Sequence, residues 1–406
     1  MAISSLPELD FRDASFRRSP HQAYARAREI SGLARARGMG AYVATRHETC
    51  VRLLKDARIG LDTFAGVATD HPLQPYFQMR EGLMLFANAP RHTALRAPAQ
   101  EAFHPRIIKR YEPLVRQLAQ SAVREFSLRI AAGESVDFVR EVSQPFVSQV
   151  ICAVVGMPAQ DHALLAAMTQ KVANGLDPFG AEHDLLEAGK GYRAFLTYMR
   201  GQLGQDRWRR EASEFTETFL GDIAHCPHMR GGFAHQDDLI STTVMLLAAG
   251  HLTTNHSLSL ALSTIVQGYP ALLLGEGSAI TPLLVEELFR YHSPAQITRR
   301  VVRESLQVDG HTLHAGQALW VALVSANRDE RVFTAPQELD FTRQRNPHVA
   351  FGAGTHFCLG THLARLQLRV FLQELVGQVP GIRVVEQQED YNLVFRGLKK
   401  LVLAAD

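Results

Sequence analysis

The segment Phe351-Gly-Ala-Gly-Thr-His-Phe-Cys358-Leu-Gly360 brings together residue types suited to holding a metal by a thiolate. Gly352 and Gly354 let the backbone turn tightly and approach something bulky, and Gly360 is expected to do the same on the far side. Cys358 falls where a helix begins, so free N–H groups and the positive end of the helix dipole favour its thiolate. A thiolate ligating iron needs N–H donors to temper its charge. The plainer alternative is a buried free cysteine in a turn, the commonest fate of a lone thiol. Cys50, Cys152 and Cys226 stand far from it and from one another, and no Cys-x-x-Cys pair exists. A zinc site or disulfide framework is therefore not expected, and a reducing cytosol is.

Two other groups could do chemistry or support it. In Glu287-Leu-Phe-Arg290 the carboxylate and guanidinium sit three apart, on one face of a helix, and can pair. An ordinary surface pair is the alternative. In Ala249-Gly250-His251-Leu252-Thr253-Thr254, the small Ala-Gly pair would let a flat ligand approach a helix. Thr253 can hydrogen-bond back to a carbonyl and distort the helix locally. A tight helix–helix contact, its hydroxyls satisfied within the helix, is the alternative. The 18 histidines are scattered, and none forms His-x-x-x-His on a helix, so no second metal site is expected.

These groups must be positioned by a chain of 406 residues, 46% hydrophobic and 21% charged, which are globular values. With 43 Lys+Arg against 41 Asp+Glu, the net charge of +2 gives no global pull toward nucleic acid or anionic membrane. The polar N-terminus has no apolar signal core, and no apolar run reaches the roughly 18–20 residues of a membrane span. A cytoplasmic protein is expected, with residues 1–12 flexible. Periodicity predicts helices over Pro20–Ile30, His47–Lys55, Arg91–Phe103, Ile107–Ala132, Arg140–Val155, Gln160–Ala173, Leu185–Leu203, Thr281–Tyr291 and Leu359–Val379. Asp237–Val266 reads as one long helix, apolar on most faces, that crosses the interior. Strands are expected at Ala41–Thr45 and Ala318–Leu323, with a hairpin around Asp309-Gly310. Asp56–Pro90 reads as a long irregular stretch. One mainly helical domain over 1–406 with small sheets is the simplest architecture.

On these motifs the chain resembles a bacterial cytochrome P-450, a haem-thiolate monooxygenase, over about Asp13 to Leu401. The resemblance implies the P-450 fold, with the long helix crossing the haem pocket, and haem b held by Cys358 with O2 as co-substrate. It implies that Phe351, Gly352 and Gly360 shape the cysteine loop, and that Glu287, Arg290 and Arg343 form a structural triad. Ala249, Gly250 and Thr253 match the oxygen pocket, and His92, Arg96, Arg300 and His356 match the donors to the haem propionates. The family's acid is replaced by Leu252, and no Asp or Glu lies between Leu246 and Leu260. Protons are then left to ordered water, to groups on the substrate, or to His251 or His256.

By position the substrate pocket takes in the stretch Leu61–Met84 (Leu83 in particular), Ala248, Leu252, Ala295, Ile297, Val394 and Phe395. Its mostly apolar residues imply a largely apolar small molecule, free or tethered to a carrier protein, with Gln296, Thr298 and Arg396 as candidate polar anchors, the favoured alternative for Arg396 being a surface charge before Gly397. No flavin or nicotinamide fingerprint is present, so electrons are expected from a ferredoxin or flavodoxin with its reductase, docking near Arg106, Lys109, Arg110, Arg365 and Arg369. Two other readings stay open. A non-catalytic haem-thiolate sensor or accessory protein would bind gas without turnover, and a peroxygenase would run on hydrogen peroxide alone.

Overall fold

The Asp309-Gly310 pair takes positive φ at both residues (49° and 78°), the twist a two-residue hairpin needs between Leu306–Val308 and His311–Leu313. That local signal is met in a computed structural model that describes residues 6–61, 70–177, 180–204, 218–221, 233, 235–275, 280–379 and 381–406. The chain folds as two compact units, interleaved in sequence so that no single cut separates them.

The first unit gathers residues 1–62, 281–358 and 389–397. Its sheet has six strands in the order Glu8–Leu9, Leu33–Ala36, Ala41–Ala44, Ala318–Ala322, Ile297–Val302, Ile59–Gly60. Leu33, Ala44, Leu53, Leu319 and Val321 form its dry core. The expected flexible N-terminus fails at Glu8–Leu9, which pairs with Arg35 and Ala36, and at Phe11, which is fully buried. The apolar Leu9 and Phe11 tie the segment down by burial. Strands Leu33–Ala36 and Ile297–Val302 escape the sequence pattern. The first, Leu-Ala-Arg-Ala, buries three of its four residues and shows no alternation, and the second carries Thr-Arg-Arg at half-buried positions that break any alternation.

The second unit holds residues 63–280, 359–388 and 398–406. Its axis is the 33-residue helix Gln236–Gly268, about 50 Å long. It packs against Gln144–Val155, His162–Asn174, Glu182–Gly204 and Thr361–Leu375, which explains its apolar residues on all sides. Three expectations are corrected. Within Asp56–Pro90, Gln74–Gly82 is helical, with Pro75 in the first turn, where a missing N–H costs nothing. Ile107–Ala132 is two helices, Pro105–Arg110 and Glu112–Ala131, the second again with proline at its start. The first residues of Arg140–Val155 belong to a π-helical turn, Phe138–Ser143, before Pro145 opens an α-helix. A small sheet orders Ile382–Asp390, Gly397–Ala405 and Val136–Asp137. Among the described residues no helix is long and apolar enough to cross a membrane.

Candidate active site

The cysteine loop belongs to the first unit. Gly352 and Gly354 both take positive φ (71° and 72°). A Cβ on Gly354 would lie 2.2 Å from the Leu54 carbonyl oxygen, so only glycine fits there. The Cys358 N–H donates to the Phe351 carbonyl at 2.9 Å, closing the loop, and the Phe351 ring rests on Phe289 with centroids 4.8 Å apart. The Cys358 side chain is half-buried, whereas Cys50 and Cys152 are buried and their thiols pushed up by desolvation, Cys152 to about 12. Of the cysteines described, Cys358 alone is open to a ligand. Cys226 lies outside the described residues. Gly360 departs from expectation: its φ of −80° suits any residue, and a Cβ there would meet nothing within 4 Å. Its small size leaves space open and serves no turn.

Glu287, Arg290 and Arg343 meet as expected, with more partners than the motif shows. Arg290 grips both Glu287 oxygens, at 2.8 and 2.7 Å, and donates to the carbonyls of Asn327, Pro336 and Glu338. Arg343 Nε and Asn346 Nδ2 each reach Glu287 Oε2 at 3.1 Å, and the Asp340 N–H reaches Oε1 at 2.9 Å. Burial alone would raise the Glu287 pKa, but the hydrogen bonds from Arg290, Asp340 and Arg343 outweigh it and hold the carboxyl ionised. Asn346 and the carbonyl acceptors could not be found from the sequence.

Arg300 is the informative member of the donor set. Burial pushes its guanidinium down to about 10. Its Nη1 reaches Thr298 Oγ1 at 2.7 Å and the Arg299 carbonyl at 2.8 Å, and among the described residues no carboxylate pairs with it. A desolvated cation without counter-charge is unfavourable unless an anion joins it. His356 ends the short turn Gly354–His356 in the same loop and is half-buried.

Ala295, Ile297, Val394 and Phe395 also come together in this unit. Ala295 bridges Phe395, and the Gln296 N–H donates to the Val394 carbonyl at 2.8 Å. Each of the three polar anchors has a partner within the protein, while Arg396 Nη1 is buried with none among the described residues. Gln296 Nε2 donates to the Ser293 carbonyl at 2.5 Å, and Thr298 accepts from Arg300. Arg396 Nη2 pairs with Glu389 at 2.9 Å and reaches the Arg18 carbonyl at 2.8 Å.

In the second unit, residues 240–248 and 254–259 of the long helix are buried. Between them Ala249 is exposed and Gly250, Leu252 and Thr253 are half-buried, so a strip of the central helix is left open. The Thr253 hydroxyl donates to the Ala249 carbonyl at 2.8 Å, yet the helix continues unbroken. A Cβ on Gly250 would come within 3.1 Å of Ile151, so this glycine is small for the neighbouring helix and not for a ligand. The helix-contact reading thus holds for Gly250, and the open-strip reading for Ala249, Leu252 and Thr253. Ala248 is buried beside them. His92 is buried and Arg96 half-buried, one turn apart on Arg91–Ala102. Leu83 is buried, and of the stretch Leu61–Met84 residues 62–69 lie outside the described residues. Of the docking cations, Arg369 is engaged by Glu112 at 3.2 Å, while Arg106, Lys109 and Arg110 are exposed.

In the first unit a half-buried thiol and a desolvated cation without a paired carboxylate suit an iron porphyrin, and in the second unit the central helix bares a strip of its surface. The comparisons agree. The sequence model of the Cytochrome P450 family matches residues 280–378. A 20-oxo-5-O-mycaminosyltylactone 23-monooxygenase from Streptomyces fradiae is 30% identical over 379 residues, covering 90% of this chain and 84% of that one. A Vitamin D3 dihydroxylase from Streptomyces griseolus is 32% identical over 361 residues, covering 86% and 82%. The structure of P450BioI in complex with hexadec-9Z-enoic acid ligated Acyl Carrier Protein superposes with a TM-score of 0.85 at 25% identity, covering 97% of this chain and all of that one. These relatives bear the names of oxygenases, which favours catalysis over the sensor reading. The chain belongs to the cytochrome P450 family and is a monooxygenase that uses O2 and a haem with a cysteine thiolate ligand.

Proposed function

We propose that Cys358 is the axial thiolate, that Arg300, His356, His92 and Arg96 hold the haem propionates, and that the substrate is a largely apolar acyl chain delivered on a carrier protein, in biosynthetic metabolism. Bound haem supplies the redox centre and activates the oxygen. The protein's share is to hold the thiolate, neutralise the propionates and present a dry wall to the substrate.

One observation carries the substrate reading. The wall formed by Ala295, Ile297, Val394 and Phe395 is apolar, and the one cation among the anchors beside it, Arg396, already has its charge met by Glu389. A free fatty acid would need a cation for its carboxylate, and the Arg396 beside this wall is already neutralised by Glu389. A chain esterified to a carrier needs none. The likeness to P450BioI, whose structure holds an acyl-ligated carrier, supports the same reading. Electrons come from a separate ferredoxin or flavodoxin with its reductase, in the cytoplasm, and exposed Arg106, Lys109 and Arg110 suit an acidic donor.

The test is a spectral titration of the ferric protein with hexadecenoic acid, free and linked to acyl carrier protein. A high-spin shift at much lower concentration for the linked acid is expected; equal or tighter binding of the free acid refutes delivery by a carrier. Replacing Cys358 by Ala should abolish the thiolate-type carbon monoxide band, and a variant that keeps the band removes Cys358 as ligand. Arg300→Leu should cut haem retention about tenfold to a hundredfold, the worth of one charge-assisted hydrogen bond. Because it removes a half-buried, desolvated cation that no carboxylate among the described residues pairs with, the apoprotein should be no less stable. A variant that unfolds as apoprotein but keeps haem affinity would make Arg300 structural.

A further inference from the structure

The long helix buries six side-chain polar atoms that have no hydrogen-bond partner among the described residues: Oγ1 of Thr242 near its start and, clustered further on, both ring nitrogens of His251, Oδ1 of Asn255, and both ring nitrogens of His256. His251, Asn255 and His256 are at most 4% exposed. Buried polar atoms in native proteins are paired, and when the protein supplies no partner, ordered water does. Neighbouring hydroxyls do not serve them. Thr253, Ser257 and Ser259 donate to the carbonyls of Ala249, Thr253 and Asn255 within the helix, at 2.8 Å each.

Their placement relates them to the open strip. Ala249, Leu252, Thr253 and His256 fall at i, i+3, i+4 and i+7, on one helix face. His256 therefore stands one turn beyond Thr253, while His251 and Asn255 share a second face, four residues apart. His256 is near enough for its charge to act on His251. Both rings are held neutral by burial, pushed down to about 4, and apart from the effect of His256 on His251 no charged group acts on either. A neutral imidazole can accept a proton at one nitrogen and release one from the other, so its net charge is unchanged. The monooxygenase reaction consumes protons and electrons in equal number as one oxygen atom leaves in water. At the position beside Thr253 the side chain is Leu252, which carries no proton.

We propose that His251, Asn255 and His256 enclose ordered water, and that His256 passes protons from it to the oxygen pocket beside Thr253. The protons originate in solvent, and the electrons come from the redox partner that the monooxygenase reaction already requires. The proposal rests on the monooxygenase assignment and not on the choice of substrate.

The holoenzyme is tested in three forms: unchanged, His256→Phe and His256→Gln. A surrogate ferredoxin and reductase supply electrons, and the substrate probe is hexadecenoic acid, free or linked to acyl carrier protein, whichever gives the larger high-spin shift. His256→Phe should lower oxygen consumption about tenfold and enlarge its D2O effect, and His256→Gln, which keeps a donor and an acceptor, should recover most of the rate. The carbon monoxide band in each form checks that haem is loaded, which separates failure here from failure of the haem assignment. Independently of activity, a high-resolution crystal structure of the unchanged protein should show water within hydrogen-bond distance of the His256 and His251 rings. Dry rings, or an unchanged rate and D2O effect in His256→Phe, overturn the proposal. If His256→Phe fails to load haem, the ordered water and the His256→Gln rate decide, and dry rings again refute it.

Discussion

Glu287→Gln should destabilise the protein by about 3–5 kcal/mol, the cost of breaking a buried ion pair from one side. Glu287 and Arg290 are both fully excluded from solvent, and Arg343 is 8% exposed. With the carboxylate gone, two guanidinium groups face each other without counter-charge, and the Asp340 N–H keeps a weaker acceptor. Set against a typical total of about 5–15 kcal/mol, that loss leaves little margin at body temperature. The damage should spread to the cysteine loop. The carbonyls bound by Arg290 and Arg343 lie in the segment leading into that loop, and Asn327 Oδ1 accepts from the Val349 N–H at 2.6 Å, two residues before Phe351. Arg343→Met should cost less, because its other hydrogen bond is to a single carbonyl, that of Thr334, and its side chain is not fully dry. Urea unfolding of the three proteins gives the comparison. A Glu287→Gln midpoint shifted by the equivalent of less than 1 kcal/mol would mean that the triad is not the structural brace of this unit.

What could be read from the sequence was local chemistry. The Asp309-Gly310 turn, the glycines at 352 and 354 and the helix His47–Lys55 depend on residues adjacent in the chain, and each appears where the pattern places it. The Glu287–Arg290 pair is local too, but its burial is not. It is created by Asn327, Pro336, Asp340, Arg343 and Asn346, up to 59 residues away. Gly250 shows the opposite failure. Its type suggested a close-fitting ligand, but its neighbour is Ile151 on another helix, about a hundred residues earlier. Arg300 was named by its position in a family pattern. Its lack of a counter-ion, which is what gives that position chemical meaning, appears only when the strand Ile297–Val302 is packed into its sheet. Likewise the histidines of the long helix are ordinary polar letters until packing dries them.

Those histidines set the second large effect, which is on acid stability. His251 and His256 are pushed down to about 4 by burial, and His21 and His292 to about 3, where Arg328 and Arg396 add repulsion to burial. All four ordinarily titrate near 6.5. Because the folded values are depressed, the unfolded chain binds the protons first, so stability is full above about pH 6.5 and drains as pH falls toward 4 and then 3. Each ring costs about 1.4 kcal/mol per pH unit inside that window, and four together about 5 kcal/mol per unit. The carboxylates held low, Glu287 among them, add their losses only below about pH 4.5. Unfolding should therefore begin near pH 5, above the carboxylate range, with an uptake of nearly four protons. Urea midpoints measured from pH 8 to 5 test this, and His251→Phe should lower the slope by about one proton. A stability that stays flat between pH 6.5 and 5 would mean that these rings are not held neutral by burial, and would remove the neutral imidazole on which the proton route past His256 depends.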